Sequence, residues 1–474
     1  MASMREKCAV VGIYAPDQDV ARLAYFALSA LQHRGQESSG IVTTDGSRFQ
    51  SHIRAGLVAQ VYTDDDLNRL QGFAAVGHNR YATSGAKYDA HLQPVLRSDD
   101  VMALAHNGNL PSIKAMHSFL LAKGLYKQDS NDSEMMCDTI RYWRYQGKTM
   151  LEAIRRAWPL FTGAFSCALL SQDSLFAFRD SRGIRPLSLG RLEDGGYIVA
   201  SETCAFDMVG ARFVRDIEPG EVVEIHNGKL TSHQIESGRE KLEIFEYIYF
   251  ARPDSVLQGQ RVNEVRRRLG ENLAEETAVE ADIVVPVPDS SIPAAVGYAA
   301  QAGIAFDHGL IKNRYIHRTF ITPTQELRER AVRMKLNPLT EVVYGKRVAL
   351  IDDSIVRGTT TQQIVRLLRN AGAAEVHVRV SSPPVLYPDF YGIDTPDQRQ
   401  LIAARLRSID RICEHIGADS LAYLSFAGMI DAIGVAEQRL CHACFSGEYP
   451  IDLLERQHEV RQQKFAGGLA PATS

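Results

Sequence analysis

The sequence predicts a chain of two domains, of α/β and α+β class, with a mainly parallel sheet in the second. Its 474 residues exceed the usual size of one domain. Residues 348–361 form an apolar run, a hydroxyl-rich turn and the start of a helical pattern, and a second apolar strand follows at 376–380. Residues 162–225 instead alternate short apolar runs with turns, which is typical of a separate sheet-rich domain. The polar stretch at 227–240 indicates the boundary.

Composition and charge narrow the classes of function. Apolar residues make up 45% and charged residues 23% of the chain, with a net charge of -4, as in a soluble globular protein. This slightly acidic balance gives no support for nucleic-acid binding. No apolar run approaches the ~20 residues that span a bilayer, and residues 1–7 are too short and polar for a signal peptide. We therefore expect a cytoplasmic protein without membrane contact. The seven scattered cysteines argue against a disulfide framework.

The end of the apolar strand at 348–351 carries the residues that point most directly to function. Asp352 and Asp353 follow it, and a turn rich in small and hydroxyl residues comes next. Backbone N–H groups at the start of the following helix, with threonine hydroxyls, suit a phosphate. Paired carboxylates suit sugar hydroxyls or a magnesium ion. The alternative is an ordinary βαβ unit in which these residues only cap the helix.

This string resembles the phosphoribosyl diphosphate (PRPP) binding motif of the type I phosphoribosyltransferases. The resemblance implies that Asp352 and Asp353 hold the ribose hydroxyls and contribute to Mg²⁺ binding. It also implies that the loop after them cradles the 5′-phosphate. The residues of that loop are Ser354, Ile355, Val356, Arg357, Gly358, Thr359 and Thr360.

A second strand-then-turn segment and a basic region would complete this site. The strand at 283–287 leads into Ser290, where the resemblance places the pyrophosphate group, and Ser290 is a predicted magnesium-side ligand. The basic stretches at 312–320 and 328–335 are either a solvated charged face or, as the resemblance implies, a mobile lid that excludes water. The predicted pyrophosphate contacts in that lid are Arg314, Arg333 and Lys335.

Cys8 and three polar clusters characterise the N-terminal half. The clusters lie at 31–40, 77–85 and 105–110, each at the end of an apolar run or helical pattern. We expect them to be loops that converge on one pocket. Taken alone, Cys8 is typical of a buried small residue that starts a strand. Together, the four segments resemble the class II glutamine amidotransferases, which are N-terminal-nucleophile hydrolases with a four-layer α/β/β/α fold.

Amide hydrolysis needs a nucleophile, a base and an oxyanion site. Removal of residues 1–7, which the resemblance implies is autocatalytic, would give Cys8 a free α-amine with a pKa near ~8 that can serve as the base. By the same resemblance, Asn107 and the Gly108 N–H form the oxyanion hole. For glutamine binding the resemblance implies Arg80 at the α-carboxylate, Asp132 at the α-ammonium, and Arg34, Gly35 and Thr83 as pocket lining. For both arginines a structural ion pair is the alternative.

Three histidines and four cysteines accompany these motifs. His33, His78 and His106 each lie in one of the polar clusters. Because the N-terminal amine would supply the base, we predict that they are structural hydrogen-bonding residues. The remaining cysteines outside the second-domain C-x-x-C pair are predicted to lie in the core, and they are Cys137, Cys167, Cys204 and Cys413.

The C-x-x-C pair bears on a possible cofactor. Some relatives that join these two domains carry a [4Fe–4S] cluster on four cysteines of the second domain. Here Cys441 and Cys444 supply two ligands, whereas Glu243 and Asp389 occupy the other two positions. Carboxylates are poor ligands for such a cluster, and a zinc site would also be short of ligands. We therefore predict that no cluster is bound.

Both resemblances in one chain imply four segments: a propeptide at 1–7, a glutamine amidotransferase domain at 8–235, a phosphoribosyltransferase domain at 236–450, and a C-terminal helix with a frayed tail at 451–474. The implied reaction hydrolyses glutamine and transfers the ammonia to C1 of PRPP. Its products are 5-phosphoribosylamine, glutamate and pyrophosphate, in the first committed step of purine nucleotide synthesis. The resemblance also implies Mg²⁺, feedback inhibition by purine nucleotides and a homotetramer.

Three other functions share part of this pattern. The same glutaminase domain can feed another acceptor, such as a sugar phosphate or an aspartyl adenylate, but the string at 352–360 argues against both. A salvage phosphoribosyltransferase with an inactive front domain is disfavoured because the predicted glutaminase set is intact. A non-catalytic PRPP sensor or nucleic-acid-binding regulator would need a basic face and a winged-helix segment, and neither is visible.

Overall fold

The structure, a computed structural model, describes most of the chain. The described residues are 8–81, 91–97, 102–313, 336–392 and 397–460. Four predicted site residues lie outside them, namely Thr83, Arg314, Arg333 and Lys335. The predicted propeptide and the tail from residue 461 also lie outside them. Among the described helices, none has the length and apolar character needed to span a bilayer.

Two antiparallel sheets lie face to face in the first domain. Their strands are β1 (Ala9–Tyr14), β2 (Ser38–Thr44), β3 (Phe49–Ala55), β4 (Ala74–Arg80), β5 (Val95–Leu96), β6 (Met102–Ser112), β7 (Thr162–Ser171), β8 (Ser174–Arg179), β9 (Ser188–Leu192), β10 (Tyr197–Ala200), β11 (Ala211–Asp216), β12 (Glu221–His226) and β13 (Lys229–Gln234). Within the described residues the sheet orders are β11-β9-β10-β1-β4-β2-β3 and β13-β12-β8-β7-β6-β5. Apolar side chains such as Val10, Val76 and Ala168 fill the space between them.

Helices cover the outer face of each sheet. They are α1 (Val20–Ala30), α2 (Val58–Val61), α3 (Asp64–Arg69), α4 (Lys114–Ala122), α5 (Asp132–Tyr145), α6 (Met150–Ala157) and α7 (Cys204–Val209), with a 3-10 turn at Trp158–Leu160. Leu28 of α1 packs in one outer core with Ile13 of β1. Ile140 of α5 packs in the other with Phe178 of β8. The layers are therefore α/β/β/α, which confirms the predicted fold.

The first domain uses part of the stretch that was predicted to be a boundary. β13 pairs with β12 from Glu221 opposite Gln234 to His226 opposite Lys229. It is an edge strand, and most of its side chains are partly or fully exposed. An exposed edge strand has no buried face to impose apolar alternation, so its sequence resembles a linker.

A parallel sheet forms the centre of the second domain. The strands of this domain are β14 (Leu242–Glu243), β15 (Val256–Leu257), β16 (Gln260–Arg261), β17 (Ile283–Pro286), β18 (Leu310–Lys312), β19 (Leu336–Pro338), β20 (Arg347–Asp352), β21 (Glu375–Val380), β22 (Ser420–Tyr423) and β23 (Leu440–Cys441). Among the described strands the sheet order is β17-β20-β21-β22, all parallel. Ala349 and Leu350 lie in different apolar cores, one on each face. A strand buried on both faces is what the continuous apolar run predicted.

The helices of the second domain flank this sheet. They are α8 (Val262–Glu276), α9 (Ile292–Ala302), α10 (Thr340–Val343), α11 (Thr359–Asn370), α12 (Ile402–Leu406), α13 (Ile409–Ile416), α14 (Phe426–Ile433) and α15 (Ala443–Ser446), with a π-helix at Glu246–Phe250 and 3-10 turns at Gln398–Gln400, Glu437–Arg439 and Leu454–Glu459. A Cβ on Gly270 of α8 would lie 1.8 Å from the Ala294 carbonyl oxygen of α9. Glycine is therefore required where these two helices cross.

The C-terminal segment lies against the first domain. Ser112 Oγ donates to the Leu453 carbonyl oxygen at 2.8 Å, and the Lys114 N–H donates to Glu455 Oε1 at 2.8 Å. A 3-10 helix at Leu454–Glu459 lies within the range 451–474 that was predicted to hold a C-terminal helix and a frayed tail. The described residues end at 460, so the rest of that prediction lies outside them.

The two domains share an apolar core. Ala164 and Ile184 of the first domain pack there with Phe390, Cys441 and Leu453 of the second. The domains are thus joined by a buried interface. Residues from near the end of the chain form part of it.

Three of the four cysteines predicted to lie in the core are buried: Cys137, Cys167 and Cys204. Cys413 is only partly buried. It lies in the last turn of α13, where its thiol donates to the Ala418 carbonyl oxygen at 3.3 Å. Cys413 therefore contacts the core without being enclosed by it.

Candidate active sites

Cys8 directly precedes β1, and Arg34 holds its backbone. Arg34 Nε donates to the Cys8 carbonyl oxygen at 3.2 Å. The Arg34 guanidinium is fully buried and is bonded to the carboxylates of Glu202 and Glu246. Burial opposes its charge, but the two carboxylates outweigh burial and raise the pKa of Arg34. His33 Nε2 also contacts Glu202 Oε1 at 2.7 Å. The Arg34 side chain was predicted to line the glutamine pocket, with a structural ion pair as the alternative. The structure places this side chain in a cluster of ion pairs, which agrees with the alternative.

Gly35 allows a close approach between the chain after α1 and the end of β4. A Cβ on Gly35 would lie 2.5 Å from the Asn79 carbonyl carbon and 2.7 Å from the Arg80 nitrogen. In the β1–β4 pair, Ala9 lies opposite Asn79. Continuing that register by one residue brings Cys8 next to Arg80. The predicted nucleophile and the predicted carboxylate clamp are therefore neighbours at one end of the first sheet.

Asn107 and Gly108 lie within β6, in the second sheet. Asn107 is 2% exposed, and its Nδ2 has no hydrogen-bond partner among the described residues. A buried donor without an acceptor costs about 1–3 kcal/mol, and an oxyanion hole needs such a donor. Gly108 has a φ of +144°, and a Cβ there would lie 2.1 Å from the Ala164 carbonyl oxygen. Only glycine fits at that position.

The clusters at 77–80 and 105–110 lie in strands, whereas we predicted loops. Their backbones are paired in β4 and β6, and both histidine side chains find partners inside the domain. His78 Nε2 contacts the His106 carbonyl oxygen at 3.1 Å, and His106 Nδ1 contacts Ser133 Oγ at 2.9 Å. Burial lowers the pKa of His78 to about 3, so this ring is neutral. The histidines have the predicted structural role.

Asp132 is the first residue of α5, and it faces β6. Asn131 caps this helix, because its side chain accepts from the Glu134 N–H at 2.8 Å while Glu134 accepts from the Asn131 N–H at 3.1 Å. Asp132 Oδ2 accepts from the Leu110 N–H at 3.2 Å and lies 4.0 Å from His106 Nδ1. The structure thus brings a carboxylate beside the strand that carries Asn107. This arrangement can pair with an α-ammonium group.

A second candidate site lies at the carboxyl edge of the parallel sheet. Asp352 ends β20, and the following loop enters α11 through Gly358, whose φ is +78°. Asp353 Oδ2 accepts from Ser290 Oγ at 2.6 Å, and Asp353 Oδ1 accepts from Ser354 Oγ at 2.8 Å. The turn after β17 therefore meets the turn after β20. Such an edge is where α/β sheets bind ligands.

The electrostatics of this edge favour a cationic or hydroxyl-bearing ligand. Both aspartates are buried, and burial together with the neighbouring Asp353 raises the pKa of Asp352 well above its ordinary range. Ser290, Asp352 and Asp353 offer the oxygen donors that Mg²⁺ prefers. Among the described residues, no group of three or more His, Cys, Asp or Glu side chains could hold a metal. Substrate and water oxygens would complete a magnesium site, as is usual for this ion.

The members of the predicted phosphate loop differ in what they can offer. The side chains of Ile355 and Val356 are buried, and the Ile402 N–H donates to the Val356 carbonyl oxygen at 2.8 Å. These two residues can therefore contact a phosphate only through their backbone. Arg357 and Thr360 are half-buried and Thr359 is exposed, so their side chains remain accessible.

Two residues of the π-helix at Glu246–Phe250 were missed by sequence reasoning. Tyr249 interacts electrostatically with Tyr81 at the end of β4 and with Asp353 and Asp352, and burial raises its pKa. Glu246 lies on the same π-helix and contacts Arg34. The available signal was that Glu246 is the one charged residue in the aromatic run at 245–250. A carboxylate in such a run marks a buried ion pair.

Comparison with known proteins identifies the two domains in which these candidate sites lie. Residues 78–208 match the family model for a glutamine amidotransferase domain, and residues 254–382 match that for a phosphoribosyl transferase domain. The amidophosphoribosyltransferase of Synechococcus elongatus is 50% identical over 465 residues, which cover 97% of this chain and 94% of that protein. This chain belongs to the amidophosphoribosyltransferase family.

Other amidophosphoribosyltransferases support this assignment over the whole fold. The Bacillus subtilis protein is 44% identical over 460 residues, covering 95% of this chain and 96% of its own. The solved structure of glutamine PRPP amidotransferase from B. subtilis, complexed with ADP and GMP, has a TM-score of 0.87 at 44% identity and covers 94% of this chain and 98% of its own. A structure described as the allosteric regulatory enzyme of purine biosynthesis has a TM-score of 0.88 at 45% identity, covering 94% and 97%.

The positions at which some amidophosphoribosyltransferases hold an iron–sulfur cluster contain Glu243, Asp389, Cys441 and Cys444, all of them buried. Glu243 Oε1 accepts from the Phe245 N–H at 3.4 Å, and Asp389 Oδ1 accepts from the Tyr391 N–H at 2.8 Å. Burial and the neighbouring Asp389 raise the pKa of Glu243. Two carboxyl groups that already accept backbone hydrogen bonds do not fit a cluster that prefers thiolates.

Proposed function

We propose that this member of the amidophosphoribosyltransferase family hydrolyses glutamine and transfers the ammonia to C1 of PRPP, in the first committed step of purine nucleotide synthesis. One observation carries the proposal. The same chain joins a cysteine-led site to a carboxyl-edge site with Asp352 and Asp353. At the first of these sites, the buried amide donor of Asn107 has no acceptor in the part of the chain that the structure describes. Neither site alone would distinguish this reaction from its alternatives.

In the glutaminase half, the Cys8 thiol attacks the amide carbon of glutamine. The free α-amine that Cys8 gains when residues 1–7 are removed accepts the thiol proton and passes it to the leaving ammonia. Asn107 Nδ2 and the Gly108 N–H stabilise the oxyanion. Arg80 binds the α-carboxylate and Asp132 the α-ammonium. Water then hydrolyses the thioester to glutamate and restores the thiol.

In the transferase half, ammonia attacks C1 of PRPP and the C1–pyrophosphate bond breaks. Asp352 and Asp353 hold the ribose hydroxyls, and the backbone from Ser354 to Thr360 with the α11 N-terminus holds the 5′-phosphate. When bound, Mg²⁺ neutralises charge on the pyrophosphate, and Ser290 with the two aspartates would hold it. We also assign Thr83 to the glutamine pocket and Arg314, Arg333 and Lys335 to the pyrophosphate.

Ammonia has to pass from one site to the other unprotonated, because only the neutral form is a nucleophile. A route between the two sites that excludes water would therefore protect ammonia from protonation and loss.

We infer three further properties of this chain. It functions without an iron–sulfur cluster, because Glu243 and Asp389 offer carboxylates where a cluster would need thiolates. Purine nucleotides are its feedback inhibitors, supported by the B. subtilis neighbour that is complexed with ADP and GMP. It acts as a cytoplasmic homotetramer.

The cluster inference is tested by iron and sulfide analysis and by the double variant Glu243→Cys with Asp389→Cys, which should gain iron, sulfide and visible absorbance that the parent chain lacks. Iron and sulfide near cluster stoichiometry in the parent would overturn it.

The function is tested by comparing two nitrogen sources. The parent chain should convert PRPP with either glutamine or an ammonium salt, forming one pyrophosphate per glutamate when glutamine is used. Cys8→Ala should lose the glutamine reaction by about a thousandfold or more and keep the ammonium reaction. Mass spectrometry of the intact parent chain should show the loss of residues 1–7. A parent chain inactive with both nitrogen sources would contradict the proposal.

A further inference from the structure

A fully buried cluster of four charged side chains joins the two domains. We call Arg34, Arg185, Glu202 and Glu246 the interdomain charge cluster, and each is 0% exposed. The two guanidinium groups and two carboxylates balance in charge. Ion pairs of this kind stabilise little over apolar packing, but removing one member leaves a buried charge unpaired and is strongly destabilising.

Glu246 is the member of this cluster that comes from the second domain. Its Oε1 accepts from Arg34 Nη2 at 2.6 Å and its Oε2 from Arg34 Nη1 at 3.0 Å. Glu246 Oε1 also lies 3.1 Å from Arg185 Nη2. This bidentate contact sets the plane of the Arg34 guanidinium. The π-helix that carries Glu246 therefore determines where Arg34 points.

Arg34 transmits that orientation to the nucleophile. The third nitrogen of the same planar group, Nε, donates to the Cys8 carbonyl oxygen at 3.2 Å. The α-amine of Cys8 is attached to the same Cα as this carbonyl, and the thiol is attached to that Cα through Cβ. A tilt of the guanidinium would therefore displace both the proposed base and the proposed nucleophile, and displacements of about 1 Å can cost a hundredfold in rate.

The π-helix is itself held rigidly. Arg266 of α8 donates to the Tyr247 carbonyl oxygen at 2.7 Å and to the Ala251 carbonyl oxygen at 2.8 Å. Arg266 also interacts electrostatically with Asp353 of the PRPP site. Arg266 therefore connects the π-helix that carries Glu246 to α8 and to the PRPP site of the second domain.

We propose that Glu246 is a positioning residue for the glutaminase reaction, which means that a carboxylate of the phosphoribosyltransferase domain orients Cys8 through Arg34. This inference rests on the proposed function. It assigns to the second domain a contribution to the first half-reaction that is separate from binding PRPP. Glu246 contacts no substrate in this scheme.

The test compares Glu246→Gln, Glu246→Asp and a matched control. Glutamine keeps the size of the side chain but offers one acceptor oxygen, so Arg34 loses the bidentate contact. For Glu246→Gln we expect kcat with glutamine to fall by roughly tenfold to a hundredfold, with KM for glutamine within about threefold. The rate with an ammonium salt should stay within about twofold. The rate at which iodoacetamide alkylates Cys8 should differ between Glu246→Gln and the parent chain. The kcat of Glu246→Asp with glutamine should lie between those of Glu246→Gln and the parent chain.

The control is Glu240→Gln, because Glu240 pairs with Arg439 at 2.6 Å and with neither Arg34 nor Cys8. It should leave both nitrogen sources unaffected. Equal loss of the glutamine and ammonium reactions in folded Glu246→Gln and Glu246→Asp would show a merely structural role and overturn the proposal. An unchanged kcat with glutamine in either variant would overturn it as well. Failure of the proposed function would instead appear in the parent chain, as inactivity with both nitrogen sources.

Discussion

Ser290 Oγ donates a hydrogen bond of 2.6 Å to Asp353 Oδ2, which joins the turns after two neighbouring parallel strands. β17 and β20 pair with Pro286 opposite Ile351, so both turns leave the sheet at the same edge. Asp353 also accepts from Ser354 Oγ at 2.8 Å. The bond thus sets one carboxylate at the point where the proposed pyrophosphate and ribose contacts meet.

Replacing Ser290 by Ala should weaken PRPP binding. The variant loses the hydrogen bond that fixes Asp353 and one oxygen donor of the proposed magnesium site. We expect KM for PRPP to rise by about tenfold to a hundredfold, as for the loss of one hydrogen bond to a charged group. The measurement is steady-state kinetics with an ammonium salt at several magnesium concentrations.

Ser291→Ala provides the control, because Ser291 Oγ is buried and has no hydrogen-bond partner among the described residues. Removing an unsatisfied hydroxyl should leave KM for PRPP unchanged and raise Tm slightly. A larger effect of Ser291→Ala than of Ser290→Ala on KM would contradict the assigned roles.

Asn107→Ala should slow glutamine hydrolysis with little effect on glutamine binding. The Nδ2 donor, which has no hydrogen-bond partner among the described residues, would act only when the oxyanion forms. Loss of one such donor costs about a hundredfold to a thousandfold in kcat. Asn109→Ala is the control, since its amide already donates to the Phe390 carbonyl oxygen at 2.7 Å. If KM rather than kcat carries the loss in Asn107→Ala, the amide binds ground-state glutamine instead.

Gly35→Ala should impair glutamine binding by displacing Arg80. The new Cβ would lie 2.5 Å from the Asn79 carbonyl carbon, so the end of β4 has to move. We expect KM for glutamine to rise by about tenfold or more. Gly124→Ala tests for a general backbone effect, because its φ is +66° with nothing near the added Cβ. That control should lose about 1 kcal/mol of stability with KM unchanged. Equal KM values in the two variants would refute the steric argument.

His78 should make the first domain unstable in acid. Its pKa is about 3 in the folded protein, mainly because of burial, against about 6.5 when unfolded. The unfolded chain therefore binds more protons between these values, and the free energy of unfolding falls as pH drops below about 6.5. From pH 7 to pH 5 this residue should cost about 2 kcal/mol.

Urea unfolding of the parent and of His78→Gln at both pH values measures this effect. Glutamine can still donate to the His106 carbonyl oxygen, but it does not titrate. The free energy of unfolding should fall less between pH 7 and pH 5 in the variant than in the parent. The decrease that remains should include the contribution of His106, whose pKa burial also lowers. Identical losses in both proteins would assign the acid sensitivity elsewhere.

Local signals explain which features could be predicted from sequence. The apolar run before Asp352 and the hydroxyl-rich turn after it lie within one strand–turn–helix unit, so this unit and the position of its turn could be predicted from the sequence. Arg34 forms ion pairs with Glu202, which is 168 positions away in the sequence, and with Glu246, which is 212 positions away. No local pattern predicts contacts between residues so far apart. The polar ends of β4 and β6 resembled loops because their partners, such as Ser133 for His106, come from other elements.

The shared core and the contact of Glu246 with Arg34 have a consequence for synthesis on the ribosome. The first domain emerges before Phe390, Cys441 and Leu453, which cover Ala164 and Ile184. A nascent chain that has released only its front half carries an uncovered apolar patch. Its cysteine has not yet received the support that comes from further along the chain. With the proposed role of Glu246, glutamine hydrolysis therefore depends on synthesis of the domain that would bind PRPP, the acceptor of the ammonia.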